Sequence, residues 1–341
     1  MCFFWNIYQK KMNNSPKNIL KLLTKSILMG TANKLPGISG GLVALITGFY
    51  GEMIESFKKL DYNLLKLIFK GNFKELDKKY NLNFLLIVLL GIIISYFTTS
   101  QILDYLFLKS ELFVWSAFFG MIIGSIVILL KDNKIKKRYD FFFILIGLTF
   151  GILLSSLDPI KENQNLLFVF FCGFISICGM IIPGISGSFL LILLGNYKLL
   201  LVDSVNNLFY LLKNLINDEY NYQIDIDLIY VLIFFCLGSI SGLVLLSSLL
   251  SYVMRNFNNE LNNLIIGFVT GSLFIIWPWG KVNSVSVNTT INQSENNFLK
   301  FIPDINNFEN IIAIILIIIG CIFIVYVEYY ATRKKNFRID R

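Results

Sequence analysis

The chain has 341 residues, 55% of them hydrophobic and only 15% charged, with a net charge of +8 and a mean hydropathy of +0.66. That balance excludes an ordinary soluble domain and predicts an all-α polytopic membrane protein. The basic excess lies in short segments between apolar spans, so it reads as membrane topology, with membrane lipids and not nucleic acid as partners.

Histidine is absent, which removes the usual metal ligand and the usual near-neutral general base. Of the five cysteines, Cys172, Cys178, Cys236 and Cys321 fall inside predicted spans. Neither a disulfide nor a metal site is therefore expected, and no cofactor.

Residues 1–16 form a tail whose apolar opening, MCFFW, is too short for a signal-peptide core. From 17 to 35 apolar positions recur at helical spacing, with Lys17, Lys21 and Lys25 on one side, until Pro36 interrupts. Residues 38–57 are apolar again. The first arm is too polar for a span and the second starts at a glycine-rich break, so a re-entrant hairpin that returns to its own side fits both. Residues 58–80 carry seven lysines and are expected in the cytoplasm.

Spans follow at 82–102, 112–130 and 141–157, near the roughly 17–25 residues that cross hydrocarbon. The connection 103–111 has one lysine and 131–140 has five basic residues, which places them outside and inside in turn. A second hairpin, 166–202 with its break at Pro183, then enters from outside. The segment 203–227, with one lysine and five acidic residues, is expected as an external loop. Spans at 228–250, 261–279 and 311–330 lead to a cytoplasmic basic tail, 331–341. The Asn/Ser-rich stretch 280–308 reads as an external loop, with Trp277 and Trp279 in the outer aromatic belt.

The chain repeats itself. Residues 36–50, PGISGGLVALITGFY, and 183–197, PGISGSFLLILLGNY, share their pentapeptide 147 positions apart. Gly91 and Gly238, Gly120 and Gly267, and Gly124-Ser125 and Gly271-Ser272 keep the same offset. Two membrane repeats follow, 17–157 and 158–330, each a hairpin plus three spans. An odd number of crossings in the first makes the topology inverted, as in many secondary transporters. The glycines outside the boxes read as close helix contacts.

Proline and two glycines in PGISG must break an apolar helix. Unpaired backbone groups in hydrocarbon cost several kcal/mol each, so such a break persists only where it is buried in protein or lines a polar cavity. The helix starting after it offers free N–H groups to an anion. Lys34, beside the first break, reads either as a ligand or as a lysine reaching to the cytoplasmic interface.

The motifs GTANKLPGISGG followed by GFYGE, MIIPGISGS followed by LLGNY, and IIGFVTGSLFIIWPWG at 265–280 resemble the bacterial polyprenyl phosphate transporter (PopT) family, in order and spacing from about 26 to 280. The chain departs from the family pattern at Lys34, Leu42 and Phe274. The resemblance implies a plasma-membrane protein with cytoplasmic termini that returns undecaprenyl phosphate, the lipid carrier of cell-wall precursors, from the outer to the inner leaflet. Headgroup candidates are then Asn33, Lys34, Pro36, Gly37, Ser39, Gly40, Gly41, Pro183, Gly184, Ser186, Gly187 and Ser188. Glu52 is a candidate for ion coupling.

Two other readings share the architecture. A membrane lipid phosphatase acting on undecaprenyl pyrophosphate needs an arginine clamp and a base or nucleophile. Here glycine follows both Ser39 and Ser186, and the first arginine is Arg138, in a loop, so an enzyme is not expected. A secondary transporter of a soluble anion differs in enclosing its site from lipid, which sequence does not reveal.

Overall fold

The computed structural model describes residues 16–58, 79–132, 138–156, 162–181, 185–217, 223–283 and 297–339. Its helices are α1 Pro16–Lys34, α2 Gly40–Thr47, α3 Tyr50–Lys58, α4 Leu82–Lys109, α5 Glu111–Asp132, α6 Arg138–Ser156, α7 Leu166–Ile181 and α8 Gly187–Leu193. A π-helical turn, Leu199–Asp203, leads into α9 Ser204–Asn217, followed by α10 Ile226–Asn256, α11 Asn258–Ser272 and α12 Phe308–Ile339. Between α11 and α12 lies an antiparallel hairpin, β1 Gly280–Asn283 and β2 Asn297–Lys300, with Gly280 opposite Lys300.

Five helices are long and apolar enough to cross a membrane: Leu82–Lys109, Glu111–Lys131, Leu199–Ile216, Ile226–Leu246 and Phe308–Arg333. The expected spans at 82–102, 112–130, 228–250 and 311–330 fall within α4, α5, α10 and α12. The span expected at 261–279 is shorter, because α11 ends at Ser272 and turns carry the chain to Trp277. Pro278 disfavours helix in the residue before it.

Most of 203–217, expected as loop, is helix α9. The count of charges registered its acidic ends and missed the Leu, Phe and Val at helical spacing between them. The tryptophans also differ from a belt: Trp277 Nε1 donates to Phe301 O at 3.0 Å and Trp279 Nε1 to Asn310 Oδ1 at 2.9 Å. They pin the β-hairpin and the start of α12. The lysine-rich loop after α3 and the centre of the 280–308 segment lie largely outside the described residues.

The fold divides into two compact units, Met1–Lys34 with Ser39–Thr99 and Tyr329–Arg341, and Leu35–Ile38 with Ser100–Glu328. In the first, α1, α2, α3 and the start of α4 bury Leu22, Ala44, Phe49, Met53, Phe84 and Val88, with the Phe49 and Phe84 rings edge to face at 6.4 Å. In the second, α10 packs on α7 and α11 on α6. Tyr197 is buried against Trp115 and Phe118.

The offset of the two boxes reappears in the element ends. α1 and α7 end at 34 and 181, α2 and α8 begin at 40 and 187, α4 and α10 end at 109 and 256, and α5 and α11 begin at 111 and 258. The register fails after α11, where the β-hairpin is inserted.

Glycines make the helix contacts that small residues permit. A Cβ on Gly238 would meet the Phe170 carbonyl of α7, and one on Gly91 would meet Ser26 and Leu23 of α1. A Cβ on Gly120 of α5 would collide with the Ile317 carbonyl of α12, and one on the equivalent Gly267 of α11 with the Ile144 carbonyl of α6. Each half's α5-type helix thus packs on the last span of the other half. Gly120→Val and Gly267→Val are expected to destabilise the protein by about 1–3 kcal/mol or more, read as loss of monodisperse protein and a lower Tm in detergent.

Candidate functional site

The two breaks use their residues differently. After Pro36, which is buried, Gly37 takes φ +85°, a conformation that only glycine adopts without strain. Its N–H donates to Ser186 Oγ at 3.1 Å, and its carbonyl lies 3.1 Å from Ser125 Oγ. Ser186 Oγ also accepts from Phe189 N at 3.3 Å, capping α8, and stands 3.1 Å from Ser188 Oγ. Ser188 Oγ in turn donates to the Leu35 carbonyl at 3.1 Å.

Each hydroxyl carries one proton. The Ser188 proton is shared between the Leu35 carbonyl and Ser186 Oγ, so Ser186 Oγ receives the Gly37 and Phe189 amides and the Ser188 hydroxyl. The serines of the second box are therefore turned onto the peptide groups of the first and satisfy its backbone. Ser125 of α5, not a candidate from sequence, completes this arrangement by sharing its proton between Gly37 O and Met121 O. Its signal in the sequence is the repeat itself, which pairs it with Ser272.

In the first unit the break is capped in another way. Ser39 has extended dihedrals and no side-chain cap bond, and it is exposed. Asn33 of α1 takes over the cap: Gly40 N donates to Asn33 Oδ1 at 3.0 Å. Because an amide N–H must meet an oxygen, this bond fixes which end of the Asn33 amide faces the Gly40 N–H. Gly40 and Gly187 open α2 and α8 as helical residues, and among the described glycines positive φ occurs at Gly37, Gly48 and Gly195. The need for glycine at position 40 is steric, since a Cβ there would collide with the Asn33 amide. Gly41, one of the amino-terminal residues whose N–H a helix leaves unbonded, is half-buried. Pro183 and Gly184 lie outside the described residues.

Lys34 does not reach an interface. It is 0% exposed, with Nζ donating to Tyr96 O at 2.7 Å and lying 4.9 Å from the Tyr96 ring centroid. One turn earlier Thr31 Oγ1 meets Ser95 Oγ at 2.9 Å and Thr99 Oγ1 at 3.2 Å, so a polar seam joins α1 to α4. Glu52 accepts from Asn81 Nδ2 at 2.9 Å, which steadies Asn81 at φ +58° before α4.

A protein-family model described as undecaprenyl phosphate translocase-like matches residues 29–294. The chain belongs to that family. Two relatives of this translocase-like chain are named polyprenyl-phosphate transporter. One, from Vibrio cholerae serotype O1 (strain ATCC 39315 / El Tor Inaba N16961), is 30% identical over 279 residues, covering 82% of this chain and 84% of the relative. The other, from Staphylococcus aureus (strain NCTC 8325 / PS 47), is 24% identical over 275 residues, covering 77% and 88%. No solved structure matches. The translocase-like chain is a multi-pass membrane protein, as its apolar helices require.

Two substitutions test the interlock. Gly37→Ala places a side chain in a left-handed conformation, at about 1–2 kcal/mol, and against Ser125 Oγ and Met121 O. Ser186→Ala leaves the Gly37 and Phe189 amides without their acceptor, at about 1–3 kcal/mol per buried group. Both are expected to lower Tm clearly, whereas Ser39→Ala, which loses no bond within the fold, is expected to leave it within about 1 °C of wild type.

Proposed function

We propose that the protein moves undecaprenyl phosphate from the outer to the inner leaflet of the bacterial plasma membrane, returning the carrier for cell-wall synthesis. The names of the relatives support a polyprenyl phosphate as cargo. The observation that carries the mechanism is the unequal use of the two boxes. The second box spends Ser186 and Ser188 on the peptide groups of the first, whereas the first leaves Ser39 exposed and without a cap bond, with Asn33 Oδ1 capping Gly40 in its place.

In this reading the phosphate binds at the amino end of α2. Ser39 Oγ, Asn33 Nδ2 and the Gly41 amide are donors there, with no carboxylate among them, and hydrogen bonds to an anion are about twice as strong as neutral ones. The helix end adds partial positive charge. Lys34 sits in the same unit, held by the Tyr96 carbonyl, and its ammonium attracts phosphate strongly where the dielectric is low. The polyprenyl tail stays in lipid throughout, so the protein supplies a polar route for the headgroup alone. Inverted repeats built on re-entrant hairpins give such a site alternating access when one repeat rocks against the other.

Leaflet-resolved translocation of undecaprenyl phosphate in proteoliposomes tests this reading. Wild type is expected to move the lipid faster than empty vesicles, and Ser39→Ala and Lys34→Ala to weaken binding roughly 10- to 100-fold, the loss of a hydrogen bond or charge contact to phosphate. Gly40→Val is expected to abolish transport while Tm reports folding. Phosphate release from undecaprenyl pyrophosphate without translocation would contradict the proposal. Orientation has its own test: cysteines introduced at Lys78 and Asn292 are expected to label from opposite membrane sides, and labelling from one side would refute the inverted topology.

A further inference from the structure

Helix α9 is built inside out. Along it Asn206, Asn207 and Asn214 are buried, while Leu215 and Ile216 are 65% and 80% exposed. In water the polar face of a helix turns outward. The reverse suits a helix whose outer side meets lipid and whose inner side faces polar protein interior, and polar groups so placed mark substrate routes in membrane proteins.

Most of this buried face is accounted for. Asn207 holds the backbone at the amino cap of α10, with Nδ2 donating to Asp225 O at 2.6 Å and Oδ1 accepting from Asp225 N at 3.0 Å. Asn196, just before the π-helical turn, clamps Asn163 before α7 through two bonds of 2.8 Å. Asn206 differs from its neighbour. It is 4% exposed, and neither Oδ1 nor Nδ2 has a hydrogen-bond partner. Among the described residues only the Ser116 hydroxyl shares this condition. An apolar residue of the same size would serve the packing better, so the amide needs another reason.

We propose that Asn206 is a second contact for the lipid phosphate, a loading site at the end of the second unit where α7 and α10 begin. This inference rests on the proposed cargo. The amide presents one acceptor and a pair of donors. A phosphomonoester retaining its second proton offers the complement, a P–OH for Oδ1 and a P–O⁻ for Nδ2.

Asn206→Leu and Asn206→Asp, assayed as full-length protein in proteoliposomes holding undecaprenyl phosphate, test the site. For Asn206→Leu the initial translocation rate is expected to fall about tenfold or more while the thermal midpoint holds or rises, because a buried polar group without a partner has been removed. Asn206→Asp is expected to be as slow or slower, since it replaces the donors with a like charge. Binding of undecaprenyl phosphate to the purified full-length protein in bilayers is expected to weaken about tenfold in Asn206→Leu. Transport at the wild-type rate in Asn206→Leu, retained transport in Asn206→Asp, or unchanged lipid binding in Asn206→Leu would overturn the inference. Failure of wild type to bind or move the lipid would instead refute the proposed cargo, and the wild-type binding measurement separates the two cases.

Discussion

A break in an apolar helix exposes peptide groups that hydrocarbon cannot satisfy, and the structure is arranged around that constraint. The Gly37 peptide is bonded on both sides, its N–H to Ser186 and its carbonyl to Ser125, and the Leu35 carbonyl is bonded to Ser188. These contacts tie the first box to the second across 149 residues of chain. A proline and a glycine between apolar helices are tolerable because three serines from elsewhere replace the lost helical bonds. The turn of the first box is thus satisfied by serines from outside it.

The two copies of the motif are used differently. At the second, Ser186 caps its own helix and holds the first. At the first, Asn33 caps in place of Ser39, which leaves that hydroxyl available. Position 41 is glycine where the second copy has Ser188, so the first has no second hydroxyl to return a bond. Lys34, buried and bonded to the Tyr96 carbonyl, lies beside the first copy.

Much of this was legible in the sequence, and the limits have physical causes. The breaks, the repeat and most spans follow from proline, glycine and apolar run length, which act locally. Glycine packing at 91, 120, 238 and 267 was legible because a small residue at a recurring helical position has few other uses. What each serine touches was not, because a hydroxyl gives the same local signal whether it faces a ligand or a peptide 149 residues away. Lys34 was similarly open: flexible enough to reach an interface, it bonds instead to Tyr96 of α4. α9 was misread as loop because charge counting ignores periodicity, and its buried asparagines look like surface residues until the fold turns them inward.

The claim that the first box holds the headgroup has a direct spectroscopic test. Gly40-Gly41 is the chain's one Gly-Gly pair, so labelling glycine with carbonyl ¹³C and ¹⁵N isolates the Gly41 amide in a solid-state NMR correlation. With undecaprenyl phosphate bound in bilayers, the Gly41 ¹⁵N is predicted to be dephased by the lipid ³¹P, and the dephasing is predicted to disappear in Ser39→Ala at matched lipid. Bound lipid with no dephasing at Gly41 would contradict the account and place the phosphate elsewhere.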